Sequence, residues 1–172
     1  MQSHALPLPD AVVNATGLMA SALAHDRAVY AIRGQTILVR GEALAVRCRM
    51  RADGMDYVIP RPGSGTTILG GTKEVGEYSP VPDGAVAEGI LRGCRGLAPE
   101  LVRDGRFEVL STQVGLRPGR RGGARMEREV CGKWRVVHAY GHAGAGFQNS
   151  VGVARRVVEM VRQILGEEKA RL

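Results

Sequence analysis

The stretch that decides the fold runs from Val136 to Gly152 and reads VVHAYGHAGAGFQNSVG. Its apolar start predicts a buried strand, and the glycines between 141 and 146 predict a loop where the backbone can approach a ligand closely. An amphipathic helix is predicted to follow, from about Phe147 to Lys169. Because the first N–H groups of a helix favour anions, the loop suits a phosphate or an electron-rich ring edge. The glycine spacing is not that of GxGxxG, so a tight turn without a ligand is the alternative interpretation.

The rest of the chain divides by pattern into two ends and a middle. Ala11–Asn14 predicts a buried strand that ends in a turn, and Met126–Val130 with Arg135–Ala139 predicts a hairpin. Together with the glycine-rich loop, these end segments are typical of a nucleotide-binding α/β layer.

The middle of the chain predicts an antiparallel sheet packed by one helix. Strands are predicted at 36–40, 45–50, 57–59, 66–69 and 107–116. Asp83 is predicted to cap a helix that ends near Leu97. In the second of these strands, apolar residues alternate with Arg47 and Arg49, which predicts an inward apolar side and outward arginines. Pro60 is predicted to stop the third strand.

Composition and charge disfavour several classes of protein. The 172 residues, 44% of them hydrophobic, suffice for one domain or for interlocking pieces of two. The net charge of +7 comes from arginines spread through the chain without interleaved aromatics, which disfavours a nucleic-acid binder. Three widely spaced cysteines predict neither a disulfide framework nor a zinc site, and His138 and His142 lack metal-ligand spacing. No apolar run reaches transmembrane length, so no membrane partner is predicted.

Two polar side chains at strand ends are candidates for ligand binding. Arg117 ends an apolar strand, where an unpaired guanidinium is costly to bury, and its planar fork matches a carboxylate with two parallel hydrogen bonds. Tyr57 starts a short strand and can offer its hydroxyl to a ligand. The alternatives are a surface arginine or a structural salt bridge for Arg117, and a rim position with a solvated hydroxyl for Tyr57. No nucleophile–base pair stands out, so no residue is predicted to act as an acid or base catalyst.

In their order along the chain, seven segments resemble the D-amino-acid oxidase family. They are VVNATG, RGQT, DYVIPRPG, TTILGGTKEVGEYSP, EGILRGCRGLAPEL, VGLRPGRRGGARMERE and VVHAYGHAGAGFQNSVGVA, which together cover most of residues 11–165. The VGLRP and HAYGHAGAG elements are the most specific, and the RPG and RRGG variants are most similar to the fungal branch.

The resemblance implies an α/β fold of mixed α+β character. It combines a large mixed, largely antiparallel substrate-domain sheet with the C-terminal part of an FAD-binding Rossmann-like domain. The implied divisions are 1–34 as a partial FAD-binding segment, 35–125 as the substrate-binding domain, and 126–172 as the C-terminal FAD-binding strand, loop and helix. The family's GxGxxG fingerprint lies well upstream of its NATG segment, whereas Asn14 is almost at the N-terminus here. We therefore expect the C-terminal half of such an enzyme, with the first βαβ unit missing.

The resemblance also implies an activity and a set of site residues. The family oxidises D-amino acids to 2-oxo acids, ammonia and hydrogen peroxide, with FAD as cofactor and oxygen as acceptor. Arg117 and Tyr57 match residues that bind the substrate carboxylate, Gly144 matches a backbone carbonyl that accepts from the substrate amine, and Gln148 matches a nearby polar position. The implied cofactor-binding residues are Asn14, Thr16, Gly17, Gly141, His142, Ala143, Gly144, Ala145, Gly146, Phe147 and Gln148.

Several alternatives stay open at this point. A D-aspartate oxidase of the same family is favoured if Arg51 or Lys73 faces the substrate pocket. A non-catalytic fragment or binding module without stable FAD is the alternative of another class, and a basic nucleic-acid binder is a third. The second active-site tyrosine of mammalian members has no match, because DGMD precedes Tyr57. A homodimer stays open.

The last three residues, Ala170-Arg171-Leu172, resemble a peroxisomal address. Because the family makes hydrogen peroxide, this tripeptide predicts a peroxisomal location, and a cytoplasmic one otherwise. An ordinary helix end is the alternative interpretation.

Overall fold

The computed structural model describes residues 8–52 and 54–169, with side chains described as far as residue 166. The chain forms two compact units. The central unit is Ala31–Arg117, and the terminal unit comprises the described residues up to Tyr30 and those from Pro118 onward. Both units combine strands with helices, so the predicted mixed α/β fold is confirmed.

In chain order, the strands of the described residues are β1 (Val12–Asn14), β2 (Val29–Arg40), β3 (Arg47–Arg51), β4 (Gly54–Arg61), β5 (Thr66–Gly70), β6 (Glu74–Val75), β7 (Val109–Arg120), β8 (Arg125–Cys131) and β9 (Trp134–Tyr140). The α-helices are α1 (Ala20–Leu23), α2 (Gly84–Cys94) and α3 (Ser150–Lys169). Short 3-10 turns occupy Gly17–Met19, Pro99–Leu101 and Ala143–Ala145.

The central unit is built on an antiparallel sheet with the order β3-β4-β5-β2-β6, and β7 also pairs with β2. One face of this sheet is apolar and packs against α2. Its buried residues are Ile37, Val39, Ala43, Val58, Leu69, Ile90, Cys94, Ala98 and Phe107. Because successive side chains of a strand point to opposite faces, Tyr57 lies on the face away from this core.

The helix α2 begins where the sequence predicts, at the Asp83 cap. The Asp83 carboxylate accepts a hydrogen bond from the backbone N–H of Val86 at 3.0 Å, which satisfies one of the unpaired donors of the first turn. The helix ends at Cys94, three residues before the predicted end. The Cys94 thiol lies in the core and donates to the carbonyls of Tyr57 and Gly70, and burial raises its pKa to about 11.

The predicted orientation of β3 is wrong. Arg47 donates to the Leu97 carbonyl and to Glu100, and Arg49 donates to Asp56 and to the Gly93 carbonyl, so both arginines lie on the α2 face. Met50, on the opposite face, is 77% exposed. The reason is that β3 is an edge strand beside the buried carboxylate of Asp56, which needs charged partners more than the core needs further apolar area.

Two predicted strand limits also differ from the structure. β4 continues through Pro60 to Arg61, because β3 pairs with β4 only as far as Val58. Pro60 therefore has a neighbouring strand on one side alone, where a residue without an N–H is tolerated. β2 begins at Val29 rather than Thr36, since the buried polar residues Arg33 and Gln35 interrupt the apolar pattern.

The terminal unit contains a three-stranded sheet with the order β1-β9-β8. β1 is parallel to β9, and β8 and β9 form the predicted hairpin, whose turn places Gly132 at φ +61°. α3 covers one face of this sheet, where Val137, Met160 and Ile164 are buried together. The predicted amphipathic helix is thereby confirmed, although it starts at Ser150.

Two glycines of α2 provide a test of the packing between the helix and the sheet. A Cβ at Gly93 would lie 2.5 Å from the Asp56 carboxylate, whereas a Cβ at Gly89 meets nothing within 4 Å. Gly93→Ala is expected to lower the free energy of unfolding by about 1–3 kcal/mol, because the ion-paired Asp56 has no room to move. Gly89→Ala is the matched control and is expected to raise it by up to about 1 kcal/mol through helix propensity. Urea unfolding of both variants checks this, and an equal response of the two would contradict the packing.

Candidate functional site

In the central unit, the structure brings Arg117 and Tyr57 together. The guanidinium of Arg117 lies beside the hydroxyl of Tyr57, close enough to perturb its pKa, and its Nη1 donates to the Thr72 carbonyl at 3.3 Å. Both side chains are half-buried. Tyr57 comes from β4 and Arg117 from β7, so the pair depends on strands that are distant in sequence.

Glycines give these two side chains their room. A Cβ at Gly34 would overlap the guanidinium of Arg117, and a Cβ at Gly70 would overlap the ring of Tyr57. At Gly71, a Cβ would lie 2.7 Å from the Tyr57 hydroxyl oxygen. The backbones at Gly34 and Gly70 therefore pack directly against the Arg117 and Tyr57 side chains. Any larger residue at these glycine positions would displace those side chains.

The electrostatics of the pair leave a positive charge available. Burial raises the pKa of Tyr57, and the neighbouring Arg117 opposes this rise without cancelling it, so the phenol stays protonated. Within the described ranges 8–52 and 54–169, Arg117 forms no ion pair with a carboxylate. Arg33 differs, because it is bonded to both oxygens of Glu74. A guanidinium with an adjacent hydroxyl donor and no internal counter-ion can bind a small carboxylate.

The two residues that bear on the side-chain preference have different environments. Lys73 is exposed. Arg51 lies 3.1 Å from an oxygen of the buried Asp56, so its charge is at least partly compensated within the chain.

In the terminal unit, Asn14 and Thr16 form a closed turn at the end of β1. The Asn14 carboxamide oxygen accepts from the Thr16 hydroxyl at 2.7 Å and from the Thr16 backbone N–H at 3.3 Å. Gly17 follows at φ +59°, a left-handed conformation that favours glycine, and begins the 3-10 turn. The three predicted residues Asn14, Thr16 and Gly17 are thus one local structure.

The glycine-rich loop after β9 is held by close backbone packing at its start. Gly141 has φ +84°, and a Cβ there would lie 2.7 Å from the Cβ of Arg120. Two features of the loop lack internal partners among the described residues. The Nε2 atom of His142 is buried without a hydrogen-bond partner, and Phe147 is 96% exposed.

A cavity of about 690 Å³ opens on the face of the terminal sheet opposite α3. Its lining includes Asn14, Thr16, Trp134 and His138 together with apolar residues of β1 and β9. Two of the residues predicted from the sequence therefore border an open space in their own unit.

The sequence analysis missed a hydrogen-bonded network on this same face. His138 links Asn14 to Glu129, and Glu129 continues to Arg125. Arg125 donates to the Tyr140 hydroxyl. The available signal was the alternation of Glu127 and Glu129 on the strand opposite a histidine in an apolar segment.

The network ends at a half-buried ion pair. Tyr140 donates to Asp26 at 2.8 Å, and Asp26 also accepts from Arg120 at 2.8 Å. Burial alone would raise the pKa of Asp26, but the hydrogen bonds from Arg120 and Tyr140 and from the Ala28 backbone N–H outweigh it and lower the pKa to about 2. Asp26 therefore stays ionised and holds the start of β2 against the strand ends at Arg120 and Tyr140.

Comparison with known proteins identifies the family of the chain. The family model for DAO, described as FAD dependent oxidoreductase, matches residues 4–160. The chain belongs to the DAO family of FAD dependent oxidoreductases. This confirms the resemblance found in the sequence, and FAD is the cofactor of the family.

Curated members of the DAO family are similar to most of this chain. It is 36% identical to the D-amino-acid oxidase of Fusarium vanettenii over 99% of its own length and 50% of the relative's. It is 43% identical to the D-amino-acid oxidase of Rubrobacter xylanophilus over 88% of its length and 45% of the relative's. The D-aspartate oxidase of Talaromyces thermophilus is 40% identical over 87% of the chain and 40% of the relative. The chain thus spans about half the length of the curated relatives it matches.

A solved structure has a similar fold. The glycine oxidase of Bacillus cereus matches with a TM-score of 0.76 and 20% sequence identity, over 94% of this chain and 45% of that chain. Among the helices of the described residues, none combines the length and hydrophobicity needed to cross a membrane.

Proposed function

We propose that this DAO-family chain takes part in the oxidative deamination of D-amino acids, with FAD as cofactor and oxygen as acceptor. The products are a 2-oxo acid, ammonia and hydrogen peroxide. The observation that carries the proposal is the half-buried Arg117, which has a tyrosine hydroxyl beside it and no carboxylate partner within the described residues.

Arg117 and Tyr57 bind the substrate carboxylate in this proposal. Arg117 supplies the positive charge and two parallel donors, and the protonated Tyr57 hydroxyl supplies a further hydrogen bond. Because Gly34 and Gly70 fix the position of both side chains, the carboxylate is bound in one orientation, and the Cα of the substrate is fixed with it. Gly144 and Gln148 stay predictions as contacts of the substrate.

FAD bound to this chain would supply the acceptor for the hydride of the substrate Cα. Two features of the terminal unit support FAD as its ligand, namely the orphaned Nε2 of His142 and the exposed Phe147 in the loop from Gly141 to Gln148. An unpartnered buried nitrogen and an uncovered aromatic ring are both groups that a flavin ring edge would satisfy. The turn Asn14–Gly17 is the second proposed contact region. The chain's own part is to bind and orient, since hydride transfer to a flavin needs position more than an acid or base.

The acidic-substrate alternative has one specific support, the D-aspartate oxidase relative of Talaromyces thermophilus. Against it, Arg51 is occupied by Asp56 and Lys73 is exposed. D-alanine is therefore the first choice of substrate, and equal or greater turnover of D-aspartate would overturn that choice.

Substitution of the carboxylate-binding pair is the direct test. The chain is joined to the part of the Rubrobacter xylanophilus relative that it does not match, and hydrogen peroxide release from D-alanine is measured with FAD. Arg117→Ala is expected to lower kcat/KM at least about thirtyfold, because truncating one partner of a charged pair costs about 2–5 kcal/mol. Tyr57→Phe is expected to lower it about tenfold through the loss of one hydrogen bond to a charged group.

The matched control for this assay compares two Arg→Lys changes. Arg117→Lys keeps the charge but loses the planar fork, whereas Arg92→Lys changes an exposed arginine of α2 that is paired with Glu88. Arg92→Lys is expected to leave kcat/KM unchanged. Equal kcat/KM values for the two lysine variants would contradict the carboxylate role of Arg117.

The 172-residue chain alone is expected to bind FAD weakly. The GxGxxG motif, which seats the pyrophosphate of a dinucleotide, does not occur in its sequence. After purification in excess FAD and removal of free cofactor, the visible flavin absorbance is expected to be well below one equivalent. A stoichiometric yellow protein would contradict this expectation.

The C-terminal tripeptide Ala170-Arg171-Leu172 lies outside the described residues, and in this proposal it directs the protein to peroxisomes. An oxidase that releases hydrogen peroxide suits that compartment. A fluorescent fusion that carries the tripeptide at its free end is expected to give a punctate signal, and deletion of Leu172 is expected to disperse it. Puncta that persist without Leu172 would argue against the address.

A further inference from the structure

The Asn14 carboxamide has a defined orientation in the terminal unit. The backbone N–H of Thr16 lies 3.3 Å from one end of the amide, and because an N–H only donates, that end must be the oxygen Oδ1. The Thr16 hydroxyl, 2.7 Å from the same atom, agrees with this assignment. The other end, Nδ2, therefore faces the ring nitrogen Nδ1 of His138 at 3.1 Å.

The orientation of Asn14 decides where His138 carries its proton. An amide NH₂ group only donates, so Nδ1 of His138 must accept and holds no proton. The ring proton is then on Nε2, which lies 2.9 Å from Oε2 of Glu129. The hydrogen bond from His138 holds the pKa of Glu129 below its usual range. Burial opposes this lowering, and Arg125 adds to it at a distance of 2.8 Å. The ionised Glu129 is thus a permanent acceptor for the ring.

We propose that Glu129 and His138 are positioning residues that hold the Asn14 carboxamide in one orientation and so give the turn Asn14–Gly17 a single geometry. The hydrogen bonds from Asn14 to His138 and from His138 to Glu129 form this lock. Asn14 is 8% exposed and His138 is 2% exposed, so a lost protein partner at either side chain is costly. If the ring proton moved to Nδ1, two donors would face each other, and Asn14 would have to rotate and turn its NH₂ towards the Thr16 N–H. The turn would then lose the bond from the Thr16 N–H, and the Thr16 hydroxyl could only accept from the rotated amide.

The lock matters because Asn14, Thr16, His138 and Glu129 all line the 690 Å³ cavity. The geometry of the turn therefore sets which polar atoms border that space. That the turn contacts FAD rests on the proposed function, whereas the lock itself rests only on the hydrogen bonds within the chain.

Nitrogen NMR of the histidine rings in the full 172-residue chain tests the lock directly. The wild-type spectrum is expected to show His138 as the neutral tautomer with its proton on Nε2, and slow exchange of the Thr16 amide. A proton on Nδ1 of neutral His138 in the wild type would overturn the proposal. This readout needs no cofactor, so failure of the lock and failure of the proposed oxidase function are separate results.

Exchange of the donor at residue 14 and the acceptor at residue 129 gives a second test, which predicts a change of tautomer rather than a loss of folding. Asn14→Asp retains the acceptor for Thr16 but places a carboxylate oxygen against Nδ1 of His138, and it is expected to draw a proton onto Nδ1. In the double variant Asn14→Asp with Glu129→Gln, the amide of residue 129 can donate to Nε2, and the proton is expected on Nδ1 alone. An unchanged Nε2–H tautomer in the double variant would overturn the proposal.

The neighbouring glutamate provides the matched control. Glu127 is on the same strand and pairs with Arg125, without a hydrogen bond to His138. Glu129→Gln is expected to speed exchange of the Thr16 amide about tenfold, which corresponds to the loss of one charged hydrogen bond. Glu127→Gln is expected to leave the Thr16 amide and the His138 tautomer unchanged. Equal acceleration in the two variants would show a general loosening of β8 and would overturn the positioning role.

Discussion

The close approach of the Arg117 guanidinium to the backbone of Gly34 is the constraint on which the central unit depends. Gly34 lies inside β2, and its missing Cβ leaves the volume that the guanidinium fills. Glycines have the same role on the neighbouring strand, where Gly70 and the following Gly71 leave space for the Tyr57 side chain. A sheet built in this way can hold a charged side chain against its own backbone, so the charge is fixed in position without a counter-ion from the described part of the chain.

Four buried or half-buried arginines of this chain have two kinds of environment. Arg33, Arg120 and Arg125 are each paired with carboxylates, and their role is to tie strands and loops together. Arg117 donates to a carbonyl and lies beside a phenol, neither of which neutralises it. This difference in pairing distinguishes arginines that stabilise the fold from one whose charge remains available to an anion. The composition of the sequence does not show which arginines are paired.

The sequence predicts features that depend on residues close together in the chain better than features that depend on distant residues. The cap at Asp83 and the turn at Gly132 depend on neighbours a few residues away, and both were predicted. The orientation of β3 was predicted wrongly, because the decisive partner of Arg49 is the buried Asp56 on the adjoining strand. The apolar alternation was a real pattern, but a buried carboxylate outweighed it.

The candidate site shows the same division by range. Arg117 could be named as a candidate from the sequence because its motif is specific to a family, and its role stays a prediction. His138 could not, because its partner Asn14 is 124 residues away, and only the parallel pairing of β1 with β9 brings them together. A histidine in an apolar strand gives no sign of which residue will face its ring.

The buried thiol of Cys94 has a consequence for the durability of the protein. Peroxide oxidises the thiolate form of cysteine, and burial raises the pKa of Cys94 to about 11, so the thiolate is scarce near neutral pH. Cys94 is also the cysteine that joins α2 to the sheet through the carbonyls of Tyr57 and Gly70. The protein therefore keeps, at the centre of its core, a sulfur that is poorly reactive towards the product proposed for its own reaction.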